Sequence, residues 1–267
     1  MSQAAKYLLI PLIVLVAGIT ARAQTASDSN AGSESTAVIT KTVNGPEIHA
    51  IDNPVAQVRK ARGWEYGPFV NWGVGAGNRD NFKFFWTGFQ LGKPLTPVIH
   101  AGILSGQFEL GGNVIPLWLG FTPAPHSQTT TCEENGQPVP CSLLVGGGTF
   151  HGVSLTPVIL RWNFLTRSRR IQPWFQGAGA LIYTTHKYPP NYLTTQTIGG
   201  QLTMINGGTS VWNFAPQGGF GIHYFVRPKR SVDLSVNGVH ISSASLGDRN
   251  PGVNASIQVQ AGYTFWK

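Results

Sequence analysis

Charge is scarce in this 267-residue chain: Asp, Glu, Lys and Arg make up 11% of it, against roughly 25% in an average soluble protein. A domain free in water needs more charged surface than that. Long apolar runs are missing too. Beyond the amino terminus none approaches the ~18 residues of a spanning helix, so the 42% of hydrophobic residues are spread out rather than gathered into membrane helices. Cysteine occurs twice, at Cys132 and Cys141 around the polar stretch EENGQPVP. No second Cys/His pair accompanies them, which argues against a metal site; in an exported protein the two can close a loop disulfide. No phosphate loop, dinucleotide fingerprint or zinc motif is present. His126, His151 and His186 lie in or beside loops without metal-ligand spacing, and Glu133 and Glu134 read as loop charges. Cofactor independence is the simplest inference.

What is abundant points to strands and turns: 33 Gly, 18 Pro, 14 Phe, 8 Trp and 7 Tyr. At the amino terminus Lys6 precedes the apolar run from Tyr7 to Ile19, and Ala21-Arg22-Ala23 supplies the small residues of a cleavage site. This pattern predicts a secretory signal peptide over 1–23. Residues 24–62 are rich in Ser, Thr, Ala, Asn and Asp and lack apolar periodicity, which predicts a flexible or loosely docked segment. Export argues against a nucleic-acid partner despite the formal net charge of +8. The positive residues concentrate instead in turns such as Thr166-RSRR-Ile171 and Val226-RPKR-Ser231, placed to meet anionic headgroups.

From residue 63 to 267 the chain resolves into strand-length runs with period-two alternation. In WEYGPFVNWGVGAG, Trp64, Tyr66, Val70, Trp72, Val74 and Ala76 share one face. Glu65, Gly67, Asn71, Gly73 and Gly75 share the other, which is poor in bulk apart from Phe69. Bulky apolar residues outside and small or polar ones inside suit a narrow barrel in a lipid bilayer. The same alternation in VWNFAPQGGFGIHYFV puts His223 on the inner face, where a structural histidine is expected. Eight strands are predicted at about 64–77, 82–93, 98–121, 152–164, 171–183, 211–226, 231–242 and 253–266. The connections after the second, fourth and sixth are compact, and those after the third and fifth are long. That asymmetry matches the periplasmic and outer faces of an eight-stranded antiparallel transmembrane outer-membrane β-barrel. A barrel of this size is filled by its own side chains and has no wide pore.

In SVDLSVNGVHIS the odd-numbered Asp233, Ser235 and Asn237 face inward and the even-numbered Val232, Leu234 and Val236 face lipid. Continuing the alternation puts His240 and Ser242 together on the lipid side, at the strand end nearest the long loops. A polar pair facing lipid is costly unless it sits at the interface, where His is tolerated as an amphipathic residue. A His base beside a Ser hydroxyl is also the minimum for an activated nucleophile.

The motif H-x-S at the end of a penultimate strand, followed by A-S-L-G and N-P-G before an aromatic-rich last strand ending TFWK, resembles the lipid A 3-O-deacylase (PagL, acyloxyacyl hydrolase) family. The resemblance is strongest over 238–254 and agrees with the eight-strand pattern. It implies an outer-membrane serine hydrolase whose substrate is lipid A, the membrane anchor of lipopolysaccharide, and which removes the ester-linked 3-hydroxyacyl chain at the 3 position. Ser242 would be the nucleophile and His240 the general base, with the acyl chain along the barrel wall. Alignment through N-P-G places Asn254 where the family has the acid that orients the histidine; Asp248 is a substitute from the loop. Ser243 stands where the family has an Asn that contributes to the oxyanion hole. Asn250 either contacts substrate or caps a turn. The rival expectation is a non-catalytic barrel with a structural, adhesive or lipid-binding role, supported by the departures at Asn254 and Ser243.

Overall fold

The structure, a computed structural model, describes residues 53–134, 137–188, 193–198, 201–206, 210–243 and 254–267. The expected signal peptide, most of the 24–62 segment, and Asp248 and Asn250 lie outside these residues. Eight long strands close a barrel: β1 (Glu65–Gly75), β2 (Lys83–Pro94), β3 (Gly106–Phe121), β6 (Thr149–Phe164), β7 (Ile171–Thr184), β10 (Trp212–Arg227), β11 (Arg230–His240) and β12 (Ala255–Trp266). Around the ring the order is β1-β12-β11-β10-β7-β6-β3-β2, and every neighbouring pair is antiparallel. Strand lengths of 11 to 16 residues meet or exceed the ~9–11 a tilted strand needs to cross a bilayer. Among the described residues no helix is long and apolar enough to cross a membrane.

The predicted alternation holds. Val70, Trp72, Phe89, Leu91, Phe220 and Ile257 are examples of an outward apolar face that wraps the whole barrel. Such a surface is an aggregation hazard in water and a solvated surface in lipid. At the short-turn end it finishes in an aromatic rim backed by cations. Tyr66 stacks on Phe265 at 5.7 Å, Lys93 lies over Trp64 and Lys267 over Tyr66, and Arg230 lies 4.7 Å from the Phe265 ring centre. At the other end Tyr183 packs on Trp212 at 4.8 Å. Aromatic girdles of this kind mark the two bilayer interfaces.

The interior divides into two halves. Toward the short turns it is polar and ionic. Arg161 Nη1 reaches Glu65 at 2.6 Å and Glu109 at 2.9 Å, and its ring-facing side lies over Trp174. Asp233 accepts from Ser231, Thr264, Gln90 and the Nδ1–H of His223, which is 2.7 Å away and fully buried. An ionised carboxylate only accepts, so His223 Nδ1 carries the proton. Toward the long loops the bore is aromatic: Phe82, Phe84, Trp86, Trp118, Phe150 and Tyr188 form one cluster. This half departs from the expected small-residue interior, because β2 and β3 turn Phe84, Trp86 and Trp118 inward. Glycines on β3 itself and on β6 leave Trp118 room. A Cβ on Gly120 would stand 2.8 Å from the Trp118 ring, and one on Gly152 3.3 Å from it. Burial pushes the pKa of the Tyr188 phenol above its ordinary value.

Three further departures from expectation have local causes. The third strand begins at Gly106 rather than near Val98, because Pro97 cannot donate to a ladder and Gly102 takes a positive φ of 59° in a short 3₁₀ turn. Both long loops contain hairpins, β4 (His126–Glu134) with β5 (Gln137–Val145), and β8 (Leu193–Ile198) with β9 (Gln201–Asn206). Cys141 on β5 is disulfide-bonded, and Cys132 is the one other cysteine of the chain. Finally, the last residues of the segment expected to be loose form α1 (Pro54–Ala61), with the Asn53 side chain accepting from the Ala56 N–H at 3.0 Å. Its Val55 and Val58 are buried against Phe225 and Trp266, and Gln107 donates to the Arg59 carbonyl at 3.1 Å. The helix therefore docks on the short-turn mouth.

Candidate active site

The site lies where β11 stops. Val239 and Ile241 are 2% and 1% exposed and belong to the aromatic plug. His240 and Ser242, alternating with them, are half-buried on the lipid-facing side. On the β12 side His240 pairs with Ala255, and the Ile241 N–H donates to the Asn254 carbonyl at 2.8 Å. On the β10 side Val239 pairs with Gln217, and Ser242 exchanges both main-chain hydrogen bonds with Phe214, at 2.6 and 2.8 Å. That register sets Pro216 opposite His240. A proline has no N–H to give, so the ladder is interrupted at His240 and resumes at Ser242. Both side chains are thus carried on paired backbone at the rim rather than on a free loop.

Asn254 does not present its side chain to the imidazole. It is 2% exposed, and its Nδ2 has no partner among the described residues. What reaches His240 is the Asn254 main-chain carbonyl, which accepts a hydrogen bond from the ring. The physical reason is parity: β12 starts regularly, so residue 254 faces inward with Ser256 and Gln258, which are also buried. Ser243 likewise turns inward, 0% exposed with no partner for its Oγ among the described residues, so its hydroxyl is not on the face that carries Ser242. His223, Asp233 and Ser231 have the residue types of a triad but sit sealed in the interior, with Ser231 donating to Asp233 rather than to the imidazole.

Two features were not anticipated. The guanidinium of Arg79, in the 3₁₀ turn between β1 and β2, is 2% exposed, lies 5.7 Å from the Phe82 ring centre and acts electrostatically on His240. An arginine in a G-N-R-D turn carries no signal that distinguishes it from a solvated one. The second feature is a smooth floor on the outer wall beside the His240–Ser242 pair. Gly218 pairs with Gly177 on one side and Gly238 on the other, and Gly179 pairs with Pro216. A Cβ on Gly177 or Gly179 would meet nothing within 4 Å, and one on Gly218 or Gly238 only an ordinary contact at 3.7 or 3.9 Å. These glycines are not required by packing. Their effect is a strip of bare backbone bordered by Phe175, Phe214 and Phe220, a lipid-facing trough across β7, β10 and β11.

A family model described as lipid A 3-O-deacylase (PagL) matches residues 134–264. No curated protein sequence matches the chain. Among solved structures the chain is similar to Neisserial surface protein A, at 12% identity over 76% of this chain and 97% of that one, with a TM-score of 0.40. It is also similar to the outer-membrane enzyme PagL, at 15% identity over 74% and 98% with a TM-score of 0.33. The N-terminal β-barrel domain of OprF from Pseudomonas aeruginosa is a third, at 10% identity over 75% and 97% with a TM-score of 0.33. The family match takes in β11, the residues that follow it and most of β12.

Proposed function

We propose that the protein is an outer-membrane serine hydrolase that removes the ester-linked 3-hydroxyacyl chain at the 3 position of lipid A. The observation that carries this reading is the placement of His240 and Ser242, side by side on the lipid-facing wall at the long-loop end, inside the segment that matches the family. Long loops face outward in outer-membrane barrels, so this rim meets the outer leaflet, where lipid A resides. The signal peptide over 1–23 delivers the chain there, and the rest of the 24–62 segment remains periplasmic.

In this reaction His240 takes the proton of the Ser242 hydroxyl as its Oγ bonds to the ester carbonyl carbon. The tetrahedral intermediate then collapses, breaking the bond to the sugar 3-oxygen, which leaves with the proton returned from His240. Water, activated by the same imidazole, cleaves the acyl-enzyme and releases the 3-hydroxy fatty acid. The Asn254 carbonyl, fixed by its bond to Ile241, accepts from the ring and so holds one tautomer with the other nitrogen toward Ser242; the side chain of Asn254 has no part. Positive charge on Arg79 and the main-chain N–H of Ser243 oppose the charge that develops on the ester oxygen. Asn250 contributes a turn or a contact to the sugar. The glycine trough takes the acyl chain, which needs a smooth apolar bed more than it needs partners.

The test is the mass of lipid A from a Gram-negative host that expresses the protein. Loss of one 3-hydroxyacyl chain is expected, and His240→Ala or Ser242→Ala should reduce that loss by at least about a thousandfold. An unaltered lipid A mass with a correctly folded barrel refutes the assignment. It would favour instead a non-catalytic lipid-binding barrel, the reading to which an imidazole without a carboxylate partner among the described residues points.

A further inference from the structure

Four strands from β11 in either direction around the ring, β3 stands diametrically across the barrel from the His240–Ser242 site. There the wall is indented. The β3–β6 ladder slips at Gly111–Gly112 and the β6–β7 ladder slips beside Thr156 and Pro157. A groove of about 730 Å³ follows, lined by outward residues that include Phe89, Leu91, Leu110, Val114 and Leu155, and it runs down to Trp64 and Lys93 at the short-turn rim. It faces the other leaflet and shares no residue with the active site.

Two properties identify an occupant. The rim end is cationic: Lys93 Nζ lies 5.1 Å from the Trp64 ring centre and Lys267 Nζ 5.7 Å from that of Tyr66, both rings lining the groove. Neither ammonium has a carboxylate partner within the chain's described residues. Above the rim the groove is apolar, bordered by the outward side chains of Phe89, Leu91, Leu110, Val114 and Leu155.

We infer that this groove is a binding site for one anionic glycerophospholipid of the periplasmic leaflet. Its phosphate sits between Lys93 and Lys267, and an acyl chain fills the apolar channel. Phosphate near two lysines at a membrane surface gains from each, and a chain laid in a preformed groove loses less water-free contact than one left on a convex wall. The inference does not depend on the proposed reaction.

Delipidated full-length protein in detergent micelles, titrated with dioleoyl-phosphatidylglycerol and read by native mass spectrometry, tests it. One tightly held adduct is expected on the wild type. Affinity should fall about tenfold or more in Lys93→Glu/Lys267→Glu, from loss and reversal of two charges, and comparably in Val114→Trp, which fills the channel. Leu234→Trp on the opposite wall should bind as the wild type does. Heat-dependent gel mobility establishes that each variant is a folded barrel. Equal phosphatidylglycerol affinity in the wild type and in the two groove variants overturns the proposal, as does equal affinity of the wild type for dioleoyl-phosphatidylcholine.

Discussion

At the scale of single residues, position 254 separates two ways of holding a histidine. A carboxylate side chain would require residue 254 to face lipid beside His240, whereas regular pairing of β12 turns it inward and leaves the carbonyl in place. A substitution that keeps the backbone should therefore matter little. Asn254→Ala is expected to deacylate lipid A within about tenfold of the wild type, a change of about 1.4 kcal/mol at most. Asn254→Glu should bring no gain, since its carboxylate would face inward rather than toward His240 and its burial lowers barrel stability. A large loss in Asn254→Ala with a folded barrel would return the orienting role to the side chain. Arg161 is the other residue on which much turns. Among the described residues it is the one cation bonded to both Glu65 and Glu109, and Arg161→Met leaves two buried carboxylates facing one another. A loss of about 3–5 kcal/mol in urea unfolding from micelles is expected.

Elements show where function and stability part company. The glycines of the trough on β7, β10 and β11 have space above them, so Gly218→Leu and Gly238→Leu should leave the barrel's unfolding midpoint nearly unchanged. Deacylation should nonetheless fall about tenfold or more, as a branched side chain takes the place of the acyl chain. Equal losses of stability and activity would mean that the glycines serve the fold. Helix α1 shows the reverse case. Val58→Asp removes one of its two buried valines, worth about 1.5–3 kcal/mol of burial. Limited proteolysis should then cut near residue 62 while the barrel stays intact. The eight strands were readable because alternation repeats over many residues and a one-residue error would turn every side chain the wrong way. The placement of His240 and Ser242 came from the same parity. The helix was harder to read: eight residues offer only Val55 and Val58 at helical spacing, although Asn53-Pro54 is a legible start signal. The hairpins inside the loops, the trough and Arg79 depend on contacts between strands distant in sequence, which no local pattern records.

For the whole molecule, the divided interior has a simple transport consequence. The aromatic cluster closes one half of the bore, the Arg161 and Asp233 networks fill the other and α1 covers the short-turn mouth. The protein should show no stepwise conductance in planar bilayers, and discrete open levels would contradict the filled bore. Ring closure also carries a consequence in time. β1 pairs with β12, Glu65 lying opposite Trp266, so the first strand must wait for the last before either loses its open edge. Contacts this remote in sequence form slowly. Until they form, two unpaired edges remain free to capture another chain, and the period of greatest vulnerability comes after synthesis, between release of the carboxyl terminus and insertion.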